Sequence, residues 1–123
     1  MTAHKILAHV TFGWLIAGGV IHFLIDVVSF YWRGMRAPGA ATTLFYGLHS
    51  TYSLGQILFG LMGLLIVRQA LPLLGTWPAL SLCAIAAAGW FAIILIFSEY
   101  KQPLFWVIGF ALLLAGTAVT AKT

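Results

Sequence analysis

In 123 residues the chain carries 63% hydrophobic and only 7% charged residues, against about 25% charged in soluble domains. Its formal net charge of +4 sets six lysines and arginines against Asp26 and Glu99. All six cations fall at the ends of apolar runs or between them, which points to headgroup anchoring and excludes a nucleic-acid surface. Cys83 stands alone, so no intrachain disulfide is possible.

Taken in order, the apolar runs predict four helices. The first, Ile6 to Trp32, is long enough to span a bilayer with tilt. Its apolar core is too long for a secretory leader and holds His22 and Asp26, so it reads as a retained helix. Pro38 and two glycines break the chain between Arg33 and Gly39. The second run extends from Thr42 to Val67 and stops at Arg68. A connection with Pro72, Gly75 and Pro78 leads to the third, Ala79 to Ser98. Glu99 to Pro103 separates it from the fourth, Leu104 to Ala121. In lipid every backbone polar group needs an internal partner, so each run should be α-helical. The expected fold is all-α, a single up-down-up-down bundle of four transmembrane helices.

Four crossings put both termini on one side with Lys5, Arg68 and Lys122, leaving Arg33, Arg36 and Lys101 on the other. Three cations on each side leave the positive-inside rule silent; the N-terminal amine favours cytoplasmic termini. Tyr31, Trp32, Tyr100 and Trp106 fit interfacial anchors. Gly109, Gly116 and Thr120 mark the contact face of the fourth helix, and small faces at Ala84, Ala88, Ala92, Gly109 and Gly116, beyond what one bundle needs, suggest a homo-oligomer, most simply a two-fold dimer.

The strongest functional lead is His22 with Asp26 one turn later. A lone aspartate at mid-membrane costs about 2.5–3.5 kcal/mol on insertion scales, so it must face a partner. His49 on the second helix falls at a similar depth, because the first two helices form an antiparallel hairpin. The second helix presents an unbroken 4-3 stripe, Thr42, Tyr46, His49, Ser53, Gln56, Gly60 and Gly63, polar at one end and small at the other. Such a stripe predicts a helix–helix seam. In the first helix Thr11, Leu15, Gly18, His22 and Ser29 follow 3–4 spacing, with Asp26 alongside on the same face. Tyr46 and Ser53 should lie within reach of the cluster as secondary hydrogen-bond partners.

His22, Asp26 and His49 are therefore the candidate reactive residues, with Tyr46, Ser53, Gln56, Arg33 and Arg36 as ligand contacts. Glu99 extends the set to a candidate N2O2 metal site of His22, Asp26, His49 and Glu99, suited to zinc or iron. Haem held between His22 and His49 is disfavoured, since neighbouring helices lie too close for a macrocycle. His4 and His9 lie toward the opposite surface, away from the cluster. The chemistry that fits best is binding or translocation of an amphiphile or proton-coupled solute through the His/Asp site. The alternatives are a membrane enzyme, with or without a metal, and an accessory subunit of a larger membrane complex. No nucleophile elbow, phosphate loop, CxxC or zincin motif occurs.

The strings GGVIHFLID, Gly18 to Asp26, and YGLHSTYSLGQILFGL, Tyr46 to Leu61, resemble small bacterial four-helix membrane proteins of uncharacterised families. The resemblance covers the first two helices and implies the architecture and a bacterial inner-membrane location, but no activity. The mid-helix glutamate of small multidrug transporters is absent from the first helix.

Overall fold

The computed structural model describes residues 1–121, so Lys122 and Thr123 lie outside the described residues. Four helices are long and apolar enough to cross a membrane: α1 (Ala3–Trp32), α2 (Ala40–Gln69), α3 (Trp77–Phe97) and α4 (Gln102–Thr120). The fold is the all-α four-helix bundle. Each helix begins two or three residues before its apolar run. Pro78 and Pro103 explain this for α3 and α4: they occupy the first turn, where a missing N–H costs nothing and a fixed φ favours the helix. Thr2 caps α1, its hydroxyl accepting from the Lys5 amide at 3.2 Å. Gly34, with φ of 60°, supplies the left-handed residue that turns the chain after α1. A short 3₁₀ turn, Leu71–Gly75, links α2 to α3.

α1 is the centre of the bundle, packing along α2 on one side and α4 on the other. Adjacent glycines open both faces. A Cβ on Gly19 would meet the Ser53 carbonyl of α2 at 3.1 Å, and one on Gly18 would meet the Trp106 ring of α4 at 3.1 Å. Further along the α1–α2 seam, Gly60 receives Ile16 and Gly63 receives the Phe12 ring. On the other face Trp14 rests on Gly109 and Leu7 on Gly116. Trp14 and Trp106 thus exchange places across the seam, each ring seated on the other helix's glycine. The Trp14 indole N–H donates to the Trp106 carbonyl at 2.8 Å. Thr11 and Thr117 hydroxyls share a buried hydrogen bond of 2.9 Å in the same seam.

These contacts revise two expectations. Trp106 and Tyr100 turn into the bundle instead of anchoring it at the interface, because glycine and the α1 face leave them space. Gly109 and Gly116 are covered by α1 side chains and are therefore not a free face for a second copy, whereas Ala84, Ala88 and Ala92 remain exposed.

α3 packs on α4 but shares no comparable seam with α2, touching it edge to face through Phe59 and Trp90. His4 bonds the Thr117 carbonyl at 3.0 Å, and Ala121 abuts Gly75, so the N-terminus, the 3₁₀ turn and the end of α4 gather at one end. Arg36 and Glu99 meet at the other.

Phe12 fills the space above Gly63, so Gly63→Ala should destabilise the bundle by about 1–3 kcal/mol through overpacking. Gly55→Ala, whose Cβ meets open space, should be neutral or stabilising. Reversible denaturation in mixed micelles measures both.

Candidate functional site

Asp26 sits where α1 departs from α-helical geometry. Leu24–Ser29 forms a π-helical turn, a wide turn of the kind found within α-helices at functional sites. Asp26 is buried there, 5% exposed, between the lipid-facing Leu24 and Ile25 on one side and Val28 on the other. One turn earlier, His22 offers its Nδ1 to the Asp26 Oδ2 at 2.7 Å. The opposite ring nitrogen, Nε2, lies 2.9 Å from Nδ1 of His49 on α2. Asp26, His22 and His49 thus form one hydrogen-bonded chain across the α1–α2 seam.

Aromatic rings hold the imidazoles in place. Tyr52 packs on His22 with ring centroids 4.9 Å apart, and Phe45 packs on His49 at 4.1 Å. Gln56, buried in the seam, donates to the Tyr52 hydroxyl at 2.9 Å and so supports the His22 ring through that tyrosine.

A carboxylate can only accept, so His22 carries a proton on Nδ1 and directs Nε2 at His49. Two states of the chain follow. In one, His22 Nε2 accepts from His49 Nδ1–H. In the other, one proton more, His22 is an imidazolium that donates to His49 Nδ1, and His49 bears its proton on Nε2. A proton arriving at His49 Nε2 therefore converts the first state to the second when the Nδ1 proton passes to His22. The added charge cancels that of Asp26. His49 Nε2, the terminal atom, has no hydrogen-bond partner among the described residues.

That chain ends at a cavity of about 680 Å³ between α2 and α3. His22, His49 and Tyr52 form its inner wall, Trp90, Ile94 and Phe97 its α3 side, and Glu99 and Tyr100 its rim. The Tyr100 hydroxyl is buried and makes no hydrogen bond of good geometry among the described residues, although Asp26 lies close enough to act on it. Burial, then the Asp26 carboxylate, then Glu99 hold this hydroxyl well above the usual tyrosine range, so it stays a donor. At the mouth the Arg36 guanidinium lies over the Phe45 ring, 3.9 Å from its centroid, and 3.8 Å from the Glu99 carboxylate.

The remaining candidates fall elsewhere. Ser53 is buried beside Gly19, and its hydroxyl has no partner in the cluster. Tyr46 packs against Tyr31 and Phe45. Arg33 turns back to the Ser29 hydroxyl at 3.0 Å and stays exposed. Tyr52 and Tyr100, absent from the sequence-based set, stand beside His22 and Asp26. Tyr52 was legible, being three residues from His49 and four from Gln56 on one helix.

The donor atoms of His22, Asp26 and His49 lie within 4.8 Å of one another, a set able to hold a metal ion. Asp26 bonds the far nitrogen of His22, the position of an orienting carboxylate behind a ligating imidazole. Glu99 is not part of this set; its exposed side chain faces Arg36. With the imidazole nitrogens 2.9 Å apart, no macrocycle fits between them.

No family model matches the chain, and neither the curated proteins nor the solved structures contain a match.

Asp26→Asn replaces a pure acceptor by a group that can donate or accept, so His22 should lose its single Nδ1–H tautomer. Nitrogen-15 spectra of labelled protein in micelles report this directly; an unchanged His22 tautomer would contradict the role given to Asp26.

Proposed function

We propose that the protein binds a membrane-borne amphiphile in the α2–α3 cleft and exchanges a proton with it, or with a solute that accompanies it, through Asp26, His22 and His49. The observation that carries this reading is the ending of a buried carboxylate–imidazole–imidazole chain at an apolar cavity. A purely structural pair would be sealed on both sides. Here one ring nitrogen is left for something else. The cavity volume falls within the range of about 300–1,000 Å³ typical of small-molecule sites. Its walls are hydrocarbon and aromatic, while its polar groups gather at one end, the division expected for a tail and a head. Four helices long and apolar enough to cross a membrane support a multi-pass membrane setting, and the resemblance of the first two helices points to a bacterial inner membrane.

A second reading, a metal-dependent membrane enzyme, draws support from the three clustered donor atoms. It requires a metal in place of the proton shared by His22 and His49. Elemental analysis of protein purified without chelators separates the two: a stoichiometric transition metal lost in His49→Gln favours the enzyme.

Gly55 lines the cavity, and a Cβ added to it would find no heavy atom within 4 Å. Gly55→Trp should therefore fill the cleft and weaken binding of a fluorescent long-chain alcohol about tenfold or more, with little change in thermal stability. Undiminished binding would place the ligand elsewhere.

A further inference from the structure

Which head the cleft selects follows from the groups at its polar end. We propose that the ligand is a single-chain amphiphile with an anionic oxygen head, a carboxylate or phosphate, an inference that rests on the amphiphile reading above. The donors are unevenly distributed. His49 ends the hydrogen-bonded chain at the cavity wall, its Nε2 without a partner among the described residues. Tyr100 adds a buried hydroxyl, without a well-formed hydrogen bond among the described residues, at the rim of the same cavity. Arg36 sits at the mouth, held over Phe45, itself a lining residue.

Both acidic side chains at this end have a partner. Asp26 is bonded to His22. Glu99 is the only other acidic side chain in the sequence. It is 72% exposed and pairs with Arg36 at 3.8 Å, a separation and setting in which an ion pair contributes little. An oxyanion entering the rim can take Glu99's place beside Arg36 while Glu99 turns to water. Lys101 adds positive charge at the same level, its ammonium donating to the Leu95 carbonyl at 3.2 Å at the end of α3. A quaternary ammonium head would have to displace Arg36 from Glu99, the one rim carboxylate not bonded to an imidazole, and a neutral hydroxyl would leave Arg36 unused.

The size of the site limits the tail. A cavity of about 680 Å³ suits one chain with its head and is in the range of single small ligands rather than whole two-chain lipids. The opening between α2 and α3 faces the hydrocarbon, since both helices expose leucine and isoleucine there, as at Leu48 and Ile93. A tail can enter sideways while the head remains at the level of His49 and Tyr100.

Four probes with the same twelve-carbon tail test the inference: dodecanoate, dodecyl phosphate, dodecanol and dodecyltrimethylammonium. Each competes with a fluorescent long-chain alcohol for the full-length protein in phosphatidylcholine nanodiscs at neutral pH, with concentrations corrected for partitioning. One or both anions should bind about 10- to 100-fold tighter than dodecanol, as charge-assisted hydrogen bonds imply. The tighter of the two identifies the head. Arg36→Gln and Tyr100→Phe should each lower affinity for the anion several-fold more than affinity for dodecanol, a selective loss that misfolding would not give. Equal affinity for all four, or tightest binding of the cation, overturns the anionic head while the amphiphile reading stands. Failure of every probe to compete overturns both.

Discussion

Close backbone approach at glycine is the constraint on which this bundle depends. Lipid offers no hydrophobic incentive for apolar helices to associate, so the seams must gain from packing and hydrogen bonding. α1 meets that requirement on two faces at once, through Gly19 toward α2 and Gly18 toward α4. Gly60 and Gly63 continue one seam, and the Trp14–Gly109 and Trp106–Gly18 exchange forms the other. With both faces of α1 occupied, α2 and α4 are set apart, and α3 packs mainly on α4. The cleft between α2 and α3 follows from that arrangement, bridged by Phe59 and Trp90.

Desolvation governs the polar groups within this frame. An aspartate in hydrocarbon needs a donor, and the nearest one four residues away is His22. The imidazole then turns its other nitrogen outward from its own helix, and His49 receives it. Each group thus passes its unsatisfied valence to the next until the cavity is reached. The π-helical turn at Leu24–Ser29 contains Asp26, which is buried in a stretch whose neighbours Leu24, Ile25 and Val28 are exposed to lipid. Buried pairs of this type are weak evidence for stability, because removal from water offsets most of the attraction. Their retention beside a cavity is better explained by chemistry at the open end.

The polar rim and the apolar cleft come from different parts of the chain. α2 supplies His49, Phe45 and Tyr52, whereas Tyr100 and Glu99 lie in the short connection from α3 to α4. Lys101 steadies that connection by bonding the last carbonyls of α3, a favourable position for a cation at a helix C-terminus. The connection is therefore held near α1 and α2, bringing Tyr100 to Asp26 despite their distance in sequence.

The number of helices, their approximate limits, the glycine face of α2 and the pairing of His22 with Asp26 were determined by the sequence alone. Each is a local property: hydropathy sets a span, 3–4 spacing sets a face, and a four-residue step sets an ion pair. His49's depth also followed, because a short connection forces an antiparallel hairpin. Ser53 and Tyr46 share the α2 stripe with His49, yet neither bonds to the cluster: one is enclosed against Gly19, the other turned toward Tyr31. Helical phase gives a direction for a side chain but not the neighbour it meets. The π turn, the cleft and the approach of Tyr100 were decided by tertiary structure. They depend on which faces of α1 are already filled, and no periodicity along one helix records what its neighbours leave open.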